Sequence, residues 1–223
     1  MYKLRKDKSN VCNVGSIHMT NNFGQVKVIG RIDMPGRFYL VEFEDGTRVK
    51  AEQSRIRKGI LRNPNQPSVC GVGYVGQGDA IVSIKRSVTR EYQLWKSMIE
   101  RCYNGKNKTY VNCIVDESWK CYNNFYEDIK ELENYDSWIK DTNKRNNWEL
   151  DKDIKIKGNR VYSKDTCMFV TRHDNSRYAQ LTGLTYIATR LSDGYTEEFT
   201  CLMDFALKYN LNQGHISECI HKK

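Results

Sequence analysis

The chain has 223 residues, 39% of them hydrophobic and 28% charged, with three prolines. That balance suits one medium folded domain or two to three small ones and excludes a disordered, low-complexity chain. Thirty-six Lys and Arg against 27 Asp and Glu give a net charge of +9, which favours nucleic acid or anionic surfaces as partners. No apolar run approaches the roughly 18–20 residues that span a bilayer. The basic residues 1–8 lead into no apolar segment either, so the expectation is a cytoplasmic chain with no membrane partner and no secretory signal.

Residues 1–62 are read as a small β unit. In Phe38-Tyr39-Leu40-Val41-Glu42-Phe43 one face carries Tyr39, Val41 and Phe43, the period of two of a half-buried strand. Asp45-Gly46 then predicts a type I′ hairpin turn, in which both central residues take φ > 0, and residues 47–50 return as the partner strand. Residues 24–30 alternate in the same way, and Met34-Pro35-Gly36 marks a turn. Three or four short strands with tight turns predict an SH3-like β-barrel, an architecture that names no function by itself.

Residues 63–89 hold Pro64 and Pro67, then the glycine-rich run 70–78. Gly71, Gly73 and Gly76 fit GxGxxG, but a dinucleotide fingerprint needs a strand before it and a helix opening at the third glycine. Neither pattern is present, so the segment reads as a linker or as a loop packed on the next domain. From Arg90 the period changes: Tyr92, Trp95, Met98, Ile99 and Cys102 form one apolar stripe of a helix, with Arg90, Lys96 and Arg101 off it. A second helix is expected around Phe125, Ile129 and Leu132, a short strand at 110–115, and a polar loop at 134–148. The eight cysteines show no CxxC pair and read mostly as buried thiols. A structural Zn²⁺ held by Cys102, Cys113, Cys121 and Cys167 is the alternative, without the paired spacing that marks such sites.

Chemistry concentrates at 148–175. Trp148-Glu149-Leu150-Asp151-Lys152-Asp153-Ile154 starts as a strand and ends in charges; Gly158-Asn159 marks a turn. Cys167 to Val170 is a second apolar strand, and Thr171 with Asp174 makes a capping-box-like helix start. Asp151 then closes the first strand, and Asn175 lies in the first turns of the helix. This order resembles the ββα-metal fold of HNH endonucleases, with Asp151-Lys152 where that family usually has Asp-His. The wider pattern over residues 90–178, from Tyr92, Trp95 and Cys102 to Tyr162 and Cys167, is similar to phage HNH-type homing-endonuclease-like proteins. The resemblance implies hydrolysis of DNA phosphodiesters with one Mg²⁺ (or Mn²⁺) held by Asp151 and Asn175.

One position departs from the family. The general-base place holds Lys152, and an unperturbed lysine titrates near about 10.4, too high for a base at neutral pH. Asp153 as base or extra ligand, His173 from the helix, and loss of cutting altogether are the three ways the departure resolves.

Residues 181–223 form a last unit: a strand at 186–190, a turn at Ser192-Asp193-Gly194, a helix from Phe199 to Tyr209, a break at 210–214, and a short helix with Ile216, Cys219 and Ile220 inward. Two short helices across such a turn predict a helix-turn-helix. Phe199, Ala206, Ile216 and Ser217 resemble the modular DNA-binding repeats found behind homing-endonuclease catalytic domains. By that resemblance Arg190, His215, Ser217, Lys222 and Lys223 face double-stranded DNA. The predicted whole is α+β: an SH3-like barrel (1–62), a Gly/Pro linker (63–89), an HNH-like domain (90–180) and a helix-turn-helix module (181–223). Its expected activity is a metal-dependent, site-directed DNA endonuclease with no small-molecule substrate. A catalytically inactive DNA-binding regulator or host-defence antagonist is the alternative, and an RNA-binding protein using the N-terminal barrel is the third reading.

Overall fold

In the computed structural model, which describes residues 4–5, 12–106, 108–142, 147–180 and 185–221, alternation in the sequence becomes a sheet. Strand β3 (Gln25–Ile32) buries Val26, Val28 and Ile32 and exposes Gln25 and Lys27; β4 (Phe38–Phe43) buries Tyr39, Val41 and Phe43. Antiparallel to them run β1 (Leu4–Arg5) and β2 (Ile17–Met19), both on β3, and β5 (Arg48–Glu52) on β4. Among the described residues no pairing joins β5 back to β1 or β2, so this five-stranded sheet does not close into a barrel. Ile56 of the short helix α1 (Gln53–Arg57) and Leu61 complete its core.

The Asp45-Gly46 turn departs from the type I′ expectation. Gly46 alone has positive φ, Asp45 accepts the Thr47 N–H at 2.9 Å, and the Phe43 N–H reaches the Thr47 carbonyl. The loop is therefore three residues long, with its left-handed residue last, and the Asp side chain does the work of a turn hydrogen bond.

The chain separates into two compact units, residues 1–111 with 117–127, and residues 112–116 with 128–223. The remainder of the first unit is helical around aromatic residues. After the hairpin β6 (Ser83–Ile84) and β7 (Ser87–Val88), helix α2 (Arg90–Tyr103) is capped by Thr89 and buries Trp95, Met98 and Ile99, as its stripe predicts. Helices α3 (Glu117–Lys120) and α4 (Tyr122–Asp128) add Trp119, Tyr122 and Phe125, and Trp95 donates from its indole to the Trp119 carbonyl at 2.8 Å. The glycine-rich run is the packed loop of the two alternatives: the Tyr122 and Asn123 N–H groups donate to the Tyr74 and Val75 carbonyls, and the Asn123 side chain accepts from Ala80 N–H. A Cβ at Gly76 would stand 2.2 Å from Cys121 Sγ, so the glycine is there for close approach and not for a phosphate.

In the second unit the expected strand at 110–115 shrinks to β8 (Ile114–Val115), after a 3₁₀ turn at Lys108–Tyr110 in the first unit. The polar stretch 134–148 contains a helix, α5 (Tyr135–Lys140), because Trp138 is buried and stacks on Phe169 at 4.5 Å. Strand β9 (Trp148–Asp151) pairs antiparallel with β11 (Met168–Thr171), while β10 (Val161–Tyr162) pairs parallel with β8. Helix α6 (Arg172–Gln180) follows directly. A second hairpin, β12 (Tyr186–Thr189) with β13 (Thr196–Phe199), precedes α7 (Leu202–Tyr209) and α8 (Gln213–His221). Phe199 is thus on a strand and not in the helix, stacked between Tyr186 and Phe205. Among the described residues no helix is long and apolar enough to cross a membrane.

Candidate functional site

Pairing fixes which side chains share a face. Leu150 lies opposite Phe169 in the β9–β11 register, and both are buried towards the Trp138 side. Glu149, opposite Val170, and Asp151, opposite Met168, point to the other face, two residues and about 6.7 Å apart along the strand. Helix α6 reaches this second face. Its start is held by Thr171, whose hydroxyl oxygen accepts the Asp174 N–H at 3.0 Å and donates to Asp174 Oδ2 at 2.7 Å. The Asp174 carboxyl is pulled below its ordinary value first by that hydroxyl, then by His173. One turn in, Asn175 Nδ2 donates to Glu149 Oε2 at 2.7 Å, and Arg172 Nε lies 3.3 Å from Glu149 Oε1.

Asp151 is buried at the strand end. Its Oδ1 accepts the backbone N–H groups of Asp153 and Ile154, both at 2.8 Å. Burial raises its pKa above the ordinary carboxylate value, the two N–H bonds oppose that, and the neighbouring Asp153 carboxyl raises it further. Two carboxyl groups therefore crowd each other where one of them is buried. Asp153 is the open member, with a side chain 46% exposed. Lys152 turns inward: its side chain is 10% exposed, Nζ stands 3.3 Å from Asp153 Oδ2, and the ammonium lies 5.6 Å from the Tyr162 ring centre.

The loop after Asp151 is closed by Asn159, whose Nδ2 donates to the Lys152 and Val161 carbonyls, both at 2.7 Å. Beneath it Cys167 is fully buried, and burial pushes its thiol up to about 12, which makes it an inert packing group.

Of the predicted site residues, Asp151, Lys152 and Asp153 are consecutive at the end of β9, and Asn175 reaches that same strand through Glu149. His173 is exposed, with its ring on Asp174 at 3.3 Å. Being two residues from Asn175 on a helix, it points about 200° away from it. Glu149, Arg172 and Asn159 were not singled out by sequence. Glu149 had a signal, the alternation Glu149-Leu150-Asp151; Asn159 had only its turn propensity. A cleft of about 470 Å³ beside the site is lined by Trp148, Ile154, Met168, Asp174, Arg177 and Tyr178 among others, and by neither Asp151 nor Asn175.

Of the predicted DNA-facing residues, Arg190 donates from Nε and Nη2 to the two carboxylate oxygens of Asp193, at 2.8 and 2.6 Å, and lies over the Tyr195 ring. His215 is exposed on α8 and Ser217 half-buried, on nearly opposite sides of the helix. Cys219 and Ile220, expected inward, are exposed. Lys222 and Lys223 lie outside the described residues.

Among the described residues no group of three or more His, Cys, Asp or Glu is placed to hold a metal ion. A cation with two protein ligands and the rest water makes no such group. The chemistry of the donors suits a hard cation: oxygen ligands, and a pair of crowded carboxyl groups that a divalent charge relieves. No family model, curated protein or solved structure matches this chain.

Proposed function

We propose that the chain is a cytoplasmic, metal-dependent DNA endonuclease whose cutting centre is the acidic face of β9 with α6, an HNH-like ββα arrangement, flanked by an SH3-like β unit and a helix-turn-helix module. The observation that carries this reading is the Asn175–Glu149 hydrogen bond, which ties the helix amide to the strand face that carries Asp151. Asp151 and Asn175 would hold a Mg²⁺ or Mn²⁺ there, and the ion supplies electrostatic stabilisation of charge developing on the phosphate and its leaving oxygen. Asp151 contributes the carboxylate least screened by water. Asp153, the solvent-facing carboxylate beside it, would take the proton from the attacking water. Lys152 carries donors only, so its part is to hold Asp153 and not to accept a proton.

That same lysine supports the second reading, a DNA-binding protein that kept the scaffold and lost cleavage. With Lys152 turned inward onto Asp153 and Tyr162, no imidazole occupies the place where the family carries its base. A supercoiled-plasmid assay with Mg²⁺ and Mn²⁺ separates the two. Nicking that disappears in Asp151→Ala and Asn175→Ala supports the nuclease; salt-sensitive DNA binding with no nicking under either metal supports the second reading. If both variants cut like the parent, the site is misassigned.

A further inference from the structure

The β6–β7 hairpin is built against local rules. Ser83 pairs with Val88 and Ile84 with Ser87, so the turn is two residues long, Lys85-Arg86. Both have positive φ, 48° and 71°, the signature of a type I′ turn, where Asn-Gly is the favoured pair because a Cβ crowds the carbonyl oxygen in that region, a clash that Gly lacks and Asn offsets by local hydrogen bonding. Two long cations stand there instead. Every residue of both strands is exposed, and Ile84 and Val88 remain 58% and 44% accessible. Neither Lys85 nor Arg86 has an ion pair or hydrogen-bonded side-chain partner among the described residues, and residues 80–90 contain no carboxylate.

The base is firm where the tip is bare. Thr89 N–H and hydroxyl bind the Val82 and Ile81 carbonyls, the same hydroxyl oxygen caps α2, and Tyr122 OH donates to Ile81. A two-stranded ribbon with no buried face is marginal alone; here it is clamped at its root and carries at its end two charges that pair with no described residue.

We propose that this hairpin is a cationic finger that docks on duplex DNA, with Lys85 and Arg86 each neutralising one backbone phosphate. The charge and the projecting geometry suit a polyanion with regularly spaced phosphates, and a β-ribbon is one of the shapes a DNA groove admits. The inference rests on the chain being a DNA-binding protein, and is independent of whether it cuts.

The test replaces the tip by Lys85→Asn with Arg86→Gly, which removes both charges and installs the residues the turn prefers. Binding of a fluorescent random-sequence duplex by the full chain is followed by anisotropy from 50 to 200 mM KCl. A matched double variant, Arg57→Gln with Lys58→Gln, removes the same charge from another exposed segment. The expected result is a thermal midpoint equal to or above the parent's, and a log–log salt slope smaller in magnitude by about 1.8, or 0.9 per lost phosphate contact. At 0.1 M salt that slope corresponds to roughly 60-fold weaker binding, while the matched variant keeps the parental slope. An unchanged slope in the tip variant, or an equal loss in the matched variant, overturns the finger while the parent still binds DNA. Tighter binding of a single strand or of RNA than of duplex DNA overturns the choice of partner. A parent chain that binds no duplex DNA overturns the finger and the proposed function together.

Discussion

Replacing Asp151 separates what its carboxyl does for the fold from what it does for chemistry. Oδ1 accepts two backbone N–H groups at 2.8 Å, and burial with the Asp153 carboxyl nearby raises the pKa. Asp151→Asn keeps an sp² oxygen for both N–H groups and offers an amide N–H towards Asp153, turning a crowded contact into a hydrogen bond. That exchange contributes about 0.5–1.5 kcal/mol in favour of the variant. Asp151→Ala leaves both N–H groups without their acceptor, at about 1–1.5 kcal/mol each, a loss of roughly 2–3 kcal/mol. The two substitutions therefore act on stability with opposite signs, while both abolish cutting if the carboxylate holds the cation. The pH dependence follows from the raised pKa. Folded Asp151 keeps its proton to higher pH than the unfolded chain, so parental stability falls as pH rises from the ordinary value of 3.8 through the folded one. The advantage of Asp151→Asn is absent below that window and complete above it. Urea denaturation of parent, Asn and Ala variants at a series of pH values reads all of this, and, on the proposed function, Mg²⁺ at 100 times its Kd would add about 2.7 kcal/mol to the parent alone. An Asn variant as unstable as the Ala variant, or a parent–Asn difference that does not change with pH, refutes the reasoning.

Three further perturbations probe what supports the two units. Gly76→Ala places a Cβ 2.2 Å from Cys121 Sγ at a φ of +78°, and the combined overlap and backbone strain cost about 2–4 kcal/mol by thermal or chemical denaturation. Thr171→Ala removes the α6 cap and lowers stability by about 1 kcal/mol at neutral pH. In the parent, Asp174's depressed pKa gives stability that is present above its ordinary 3.8 and lost as pH falls through the folded value, so the variant shows a flatter acid limb in denaturation midpoints. Trp138→Ala removes the ring stacked on Phe169 behind the Glu149–Asp151 strand and costs about 3–5 kcal/mol; Trp138→Phe, which keeps an aromatic partner, is expected to retain most of that in the same assay.

How much of this was legible depended on whether a residue's role was local. The strands β3 and β4 and the stripe of α2 could be read because burial follows a period of two or 3.6 over several residues. Strands β9 and β11, whose burial does not alternate, could be read because β9 ends in charges and β11 is a short apolar run ending in a cap. The α6 cap could be read because Thr171 and Asp174 are three residues apart and bond to each other. Helix α5 escaped because its only deeply buried side chain is Trp138, and Trp138 finds its partner 31 residues on in Phe169, a contact no window of the sequence contains. The glycine run misleads for the same reason: Gly76 and Gly78 are bare to admit Cys121 and Asn123, more than 40 residues away. In the candidate site, Asp151 and Asn175 were visible as chemistry, but the residue that joins helix to strand is Glu149, across 26 positions. The turn types were exchanged outright: Asp45-Gly46 spreads over three residues, while Lys85-Arg86 takes the two-residue left-handed form that composition argues against.

The positions where local rules fail are not scattered by kind. Lys85 and Arg86 occupy a backbone region that suits Asn and Gly; Asp151 is a buried carboxyl crowded by another; Lys152 is a lysine with one tenth of its side chain accessible. Each is a charged group held where folding alone would prefer a neutral one, and sequences break such rules mainly where binding repays the loss. The signs differ in a consistent way. The hairpin tip holds positive charge with no ion-pair partner among the described residues, which phosphate satisfies, and the end of β9 sets two crowded carboxyl groups against the one Lys152 ammonium, an excess that a divalent cation satisfies. A DNA backbone carrying its own counter-cations brings both to the protein at once. On the proposed function, then, DNA and Mg²⁺ should stabilise the chain more together than either does alone, because Mg²⁺ drawn to a bound phosphodiester is the same ion that relieves Asp151 and Asp153. A thermal shift with both that is no larger than the shift from DNA alone would leave the acidic face without a part in binding.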